Sequence, residues 1–137
     1  MPRFFLVSAM IFALGISMLG CGGNQQLSGK ITFSDNNEPL SVGIICFQSP
    51  DGSMSRGEIQ QDGTYVVDTQ SHRDGLPLGT YGVFITSAVL VQYDKDGNEA
   101  STFQIDAKYS DAKTSGLAFT ADGKTRTFDF SVDRPSK

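Results

Sequence analysis

Few residues in this chain could do chemistry. Among 137 residues there are two cysteines, one histidine and no tryptophan. His72 sits with Arg73 and Asp74 in a polar stretch, a setting that suits a solvated loop histidine or a ligand-contacting, pH-sensing one. Ser53, Ser55 and Ser71 lack a base and an acid at any recognisable spacing, so nucleophilic catalysis has nothing to stand on. Cys46 lies inside the apolar run Val42–Phe47, where a thiol reads as a small buried hydrophobe; a catalytic thiol would need exposure and an activating histidine. Structural zinc wants three or four Cys, His or carboxylate ligands at set spacing, and none is found. Asp94, Asp96 and Asn98 offer oxygen ligands at alternate positions. A helix-loop-helix calcium loop, however, needs Gly at its sixth position and Glu at its twelfth. Here Gly97 is fourth and Ile105 is twelfth, so the stretch reads as a turn between strands, with weak calcium binding as the alternative. The expectation is a protein with no catalytic residues, no metal and no cofactor.

The chemistry that stands out is at Cys21. Arg3 precedes an apolar run, Phe4–Leu19, broken only by Ser8, Gly15 and Ser17. A basic start, an apolar middle and a small-residue site make up a secretory signal. The run is shorter than the roughly 20 residues that a spanning helix needs. Met18-Leu19-Gly20-Cys21 resembles the bacterial lipobox, with Met18 where Leu is usual. The resemblance implies removal of residues 1–20 and a lipid on the thiol of Cys21; an uncleaved anchor or an ordinary signal peptide is the alternative. Each buried methylene contributes about 0.8 kcal/mol, so two or more acyl chains make a stable tether to the membrane. Residues 21–26 then form a flexible spacer. Gly22, where an Asp would favour inner-membrane retention, points to the outer membrane, on its periplasmic or surface face.

The charge balance argues against a nucleic-acid binder. Eleven basic residues face fifteen acidic ones, a formal net charge of −4, and loss of the leader would remove Arg3 as well. Acidic residues are scattered, as on a surface kept soluble by like charge. Basic patches with interleaved aromatics are missing, so no nucleic-acid partner is expected.

The elements that must position these residues read as strands. Fifteen glycines and recurring turn signals separate short β-branched and aromatic runs. Leu27–Ser34 alternates, with Leu27, Gly29, Ile31 and Phe33 on one face. Ser41–Ser49 is apolar on both faces at its middle, as in a central strand. Met54–Gln60 and Thr64–Asp68 flank Gln61-Asp62-Gly63, a strong hairpin signal. Thr80–Tyr93 is the longest run, Thr102–Ile105 a short strand, and Asp106–Gly116 an irregular crossover. Leu117–Thr120 and Thr125–Val132 read as a last hairpin, with Phe128, Phe130 and Val132 facing the core. On that reading Phe130→Ala costs about 3–5 kcal/mol. The expected fold is all-β: a single antiparallel sandwich of seven or eight strands, transthyretin-like or Ig-like, over residues 27–133, with 134–137 as a tail.

Several phrases then line up: Ser28-Gly29-Lys30-Ile31-Thr32-Phe33, Glu38-Pro39-Leu40, Gly57–Tyr65 and Asp74–Tyr81. The series is similar to carboxypeptidase regulatory-like domains of the transthyretin-like (prealbumin-like) sandwich. Lys108-Tyr109, Ser115-Gly116-Leu117, Gly123 and Phe128-Asp129-Phe130 resemble the tail pattern of small planctomycete lipoproteins of that kind. The resemblance implies a non-catalytic module, because its motifs are turn glycines and core aromatics. Gly63 and Gly79 would take positive φ. Tyr65 and Tyr81 would bury their rings and hydrogen-bond backbone carbonyls. An enzyme of the same broad fold hydrolyses 5-hydroxyisourate with several histidines and a C-terminal Tyr-Arg-Gly-Ser. This chain has one histidine and ends Arg134-Pro135-Ser136-Lys137, so that activity is not expected.

The functional expectation is therefore a lipid-anchored interaction or structural module. It would present the loops Pro50–Ser55, Gln70–Leu78 and Asp94–Ser101 to an envelope protein or a glycan. The alternative is a small-ligand or carbohydrate-binding module, for which Tyr93 and Tyr109 are the candidate exposed aromatics.

Overall fold

In a computed structural model the described residues are 26–67 and 76–137. Nine strands run in order among them: β1 (Leu27–Phe33), β2 (Ile44–Gln48), β3 (Met54–Glu58), β4 (Thr64–Val67), β5 (Gly79–Thr86), β6 (Val89–Tyr93), β7 (Glu99–Phe103), β8 (Leu117–Ala121) and β9 (Phe130–Val132). The alternation in β1 buries Leu27, Ile31 and Phe33, as its sequence demands. β1 is the centre of a three-stranded sheet, β4-β1-β9, that packs over a four-stranded sheet, β3-β2-β5-β8. β6 and β7 form a separate two-stranded ribbon. The protein is an all-β sandwich, and its sheets are antiparallel except where β9 runs parallel to β1.

The core lies between the two larger sheets. Ile45 and Phe47 point inward from β2, Tyr81, Val83 and Ile85 from β5, and Tyr65 and Val67 from β4. Phe47 is its hub, with ring centroids 6.0–6.4 Å from Tyr65, Tyr81, Phe119 and Phe128. Edge-to-face geometry at Phe119, with planes at 86°, sets the positive ring edge of one against the negative face of the other. The tyrosine hydroxyls find carbonyls as expected: Tyr65 donates to Phe128 O at 2.5 Å and Tyr81 to Pro77 O at 2.6 Å.

Three sequence expectations change in detail. The run Thr80–Tyr93 is two strands. Ser87 takes φ 57°, and Val89 N donates to Ser87 O at 2.8 Å, so the chain turns out of the sheet and β6 begins. The expected hairpin of Leu117–Thr120 with Thr125–Val132 does not form. β8 joins β5 in one sheet and β9 joins β1 in the other, because Phe119 and Phe128 pack ring to ring at 5.1 Å across the interior. The Asp62-Gly63 turn is tight, with Gly63 N on Gln60 O at 2.9 Å, yet β3 and β4 also diverge into different sheets. A short turn fixes local reversal only; burial of apolar faces decides which sheet each arm enters.

The crossover Asp106–Gly116 contains one 3-10 turn, Ala107–Ser110, capped by Asp106 accepting from Lys108 N. The C-terminal residues are tied to the sandwich. Arg134 pairs with Asp35 at 2.8 Å and Glu38 at 3.2 Å and lies 3.8 Å above the Phe33 ring. Among the described residues no helix is long and apolar enough to cross a membrane.

Candidate functional site

Cys21, His72, Arg73 and Asp74 lie outside the described residues. Asp94, Asp96 and Asn98 stand together at the turn joining β6 to β7. The Asp94 carboxylate accepts from Asp96 N at 2.8 Å, Asn98 N at 2.9 Å and Asn98 Nδ2 at 2.9 Å. Those donors, the Asn98 side chain first, hold its pKa below the ordinary value. Gly97 at φ 84° lets the chain reverse. This carboxylate builds a turn. Among the described residues no three His, Cys, Asp or Glu groups stand where a metal ion could be shared.

Asp51 plays the same part between β2 and β3. It accepts from the Ser49 hydroxyl and from Ser53 N, and these hydrogen bonds lower its pKa to about 2. Ser55 is buried in β3. The Cys46 thiol is buried, and desolvation raises its pKa, which suits packing and opposes thiolate chemistry.

Of the expected loops, most of Gln70–Leu78 lies outside the described residues, and the other two leave opposite ends of the sheet. The register Gln48↔Gly82 places the Pro50–Ser53 turn at the end of the sheet where β5 begins. Ile44↔Thr86 marks the opposite end, and there the ribbon carrying Asp94–Asn98 departs. Tyr109, expected as an exposed aromatic, is buried. Its hydroxyl donates to Asp133 Oδ2 and accepts from Asp133 N, both at 3.1 Å, because the crossover must close the sandwich beside β9.

The surface with binding character is the ribbon and the hollow at its root. Cross-strand pairing puts Val89, Val91 and Tyr93 on one face with Phe103, Ser101 and Glu99. Phe103 is 71% exposed, Tyr93 69% and Val91 47%. The face runs into a half-open cavity of about 350 Å³ walled by Ile85, Ala88, Val89, Phe103, Ile105 and Pro135. Thr86, Ser87, Asp106 and Ser110 are the polar residues at its side, and Asp106 is the charged one. The Asp106 pKa is lowered, chiefly by Lys108 N and the Ser136 hydroxyl, so the carboxylate is charged near neutral pH. The arrangement can receive one apolar side chain or a short hydrocarbon and place a negative charge beside it. Sequence reasoning missed Phe103 and Val91. Their alternation looked like a core strand, and nothing local tells a buried strand face from an unpartnered one.

No family model matches this chain, and no curated protein matches it. Among solved structures it is similar to a variant of BcpA, the major pilin subunit of Bacillus cereus, at 12% identity and TM-score 0.50. That match covers 82% of this chain and 30% of the pilin chain. The likeness is one of fold. The unaltered BcpA subunit scores 0.48 at 11% identity, over 84% of this chain and 31% of that one. A 9R-lipoxygenase from Cyanothece scores 0.36 at 17% identity, over 82% and 16%. Both scores are too low to bear on the fold. The chain thus spans about three-tenths of the pilin subunits it matches, and the comparison agrees with an all-β sandwich.

Proposed function

We propose that this chain is a non-catalytic, lipid-anchored protein of the bacterial cell envelope whose sandwich acts as an interaction or structural module. The observation that supports it best is the exposed Val91–Tyr93–Phe103 face and its adjoining cavity, since an apolar surface held out from a finished core is what binding uses. The carboxylates of Asp51, Asp94 and Asp122 serve backbone amides in turns, which suits a scaffold and not an acid–base site. The anchor is Cys21, lipidated after removal of residues 1–20, with residues 21–26 as tether and the outer membrane as destination. The finer family reading is the carboxypeptidase regulatory-like, transthyretin-like sandwich of planctomycete type. Gly63 at φ 82° and Gly79 at φ 144° are consistent with its turn glycines.

The test is metabolic labelling with radioactive palmitate together with crosslinking in the native envelope. Label on the intact chain and none on Cys21→Ala, with a partner enriched only in the former, is the expected result. Unlabelled protein of unchanged mass, released with the soluble fraction, would sink the anchor. A second reading, a carrier for a small apolar ligand, is favoured by the cavity alone. Native mass spectrometry of the purified chain tests it by asking whether a hydrocarbon-like molecule copurifies. For a carbohydrate platform, Tyr109 is buried, and of the two expected aromatics Tyr93 stands exposed.

A further inference from the structure

Among the described residues the two-stranded ribbon is short of partners. An isolated hairpin is marginal in water and gains stability from a third strand or a packed face. Both outer edges of the β6–β7 ribbon lie outside the larger sheets, and one face carries Val91, Tyr93 and Phe103 in the open. That face leads into the cavity at Val89 and Phe103.

Charge and size decide what fits. The segment Val89–Phe103 carries Asp94, Asp96 and Glu99 against Lys95 alone, and Glu99 lies opposite Tyr93 on the apolar face. Asp106 adds a fourth carboxylate at the cavity. An anionic bilayer is disfavoured by this charge. The ribbon root also lies at the Phe33 and Val132 end, where Asp106 N donates to Asp133 O and Pro135 walls the cavity, roughly 20 Å along β1 from Leu27. A second copy is disfavoured because it brings the same acidic surface. In addition, two rings about seven-tenths exposed, with Val91 on the same face, offer roughly 300–500 Å². A stable dimer buries about 800 Å² per partner.

We infer that the β6–β7 ribbon docks an extended basic segment of another protein, which adds along a ribbon edge and seats one apolar side chain in the cavity. Backbone pairing would supply affinity, the cavity would select an aliphatic or aromatic anchor, and Asp94, Asp96, Glu99 and Asp106 would select flanking Lys or Arg. The inference rests on the interaction-module reading and names its surface and partner chemistry.

The experiment uses the full chain in nanodiscs of neutral lipid. The probe is the fluorescein-labelled peptide Lys-Val-Lys-Phe-Lys-Val-Lys, compared with its Glu-for-Lys analogue and read by anisotropy. Val91→Lys and Phe103→Ser change exposed side chains and leave the core intact, which circular dichroism verifies. Expected are binding of the Lys peptide that weakens with salt, about tenfold weaker binding of the Glu peptide, and about tenfold losses in both variants. Absence of binding up to about 1 mM, equal affinity for the two peptides, or affinity undiminished in the variants overturns the proposal. So does a concentration-dependent dimer abolished by Phe103→Ser, which would make the occupant a second copy. Photo-crosslinkers at Val91, Ser53 and Thr120 separate this proposal from the reading beneath it. A partner captured at Ser53 or Thr120 and not at Val91 leaves an interaction module and removes the ribbon as its surface. Capture at none of the three removes both.

Discussion

At Gly29 the backbone of β1 passes so close to the segment leading into β9 that a Cβ would collide with the Phe128 carbonyl and come within 2.6 Å of the Tyr65 hydroxyl. That carbonyl is turned inward to accept from Tyr65, and Lys30 N is left to the Asp129 side chain at 2.8 Å. Two tests follow from this knot. Gly29→Ala is expected to cost about 1–3 kcal/mol by overpacking. Tyr65→Phe is expected to cost about 1–3 kcal/mol by leaving a buried carbonyl unpaired. Chemical denaturation of both variants measures these; two wild-type midpoints would place Phe128 O in contact with water. Asp133 carries a second knot, with Lys108 Nζ at 2.8 Å, the Ser34 hydroxyl at 2.6 Å and the Tyr109 hydroxyl at 3.1 Å. These partners, Lys108 foremost, depress its pKa from an ordinary 3.8 to about 2. A depressed carboxylate stabilises the fold above its unfolded pKa, and the gain is lost as pH falls through the folded one. Asp133→Asn should therefore melt lower than wild type at pH 7, and the gap should close between about pH 4 and pH 2. A gap that persists unchanged at pH 2 would assign the effect to packing.

Strand β9 is short for a reason at the next scale. Arg126–Val132 follows β1, with Phe128 N on Ser28 O and Ser28 N on Arg126 O, but the Asp129 side chain breaks the ladder. The alternation of Phe128, Phe130 and Val132 survives, yet only Val132 is fully buried. Phe130 is half-buried, stacked 5.0 Å from Phe128 at the margin of the core. Phe47→Ala should then cost about 3–5 kcal/mol, and Phe130→Ala clearly less than the same range assigned to it from sequence. Equal losses would mean that the margin of the core is as tightly packed as its hub. The ribbon makes the opposite case, an element with little of the core in it. Asp94→Ala removes the acceptor that closes its turn. The expected outcome is faster amide exchange across Val89–Phe103 with an almost unchanged global midpoint, because local opening there exposes few buried side chains. A matching fall in the global midpoint would make the ribbon part of the cooperative unit.

Across the whole molecule, strand identity was legible and strand partnership was not. Period-two alternation identified β1 and the inward positions of β5, since a half-buried strand must alternate. Asp-Gly turns were legible because only glycine takes φ near +80° without strain, as Gly63 and Gly97 do. The splitting of Thr80–Tyr93 at Ser87 carried no such mark, because serine gives no signal for a positive φ. Of the candidate residues, Asp94 and Asn98 were recognisable as turn formers, whereas Tyr109, expected exposed, is buried, and Phe103 was missed. An aromatic residue has the same local pattern whether it is buried or bare. By itself the sequence determined the all-β class, the turns and the apolar content, since these depend on neighbours within a few residues. Only the tertiary structure decided that β8 and β9 part company, that Tyr109 is sealed by Asp133, and that Val91, Tyr93 and Phe103 stay exposed. Those outcomes depend on which distant strand arrives to cover each face, a choice made by the packing of the whole chain and encoded in no single stretch of it.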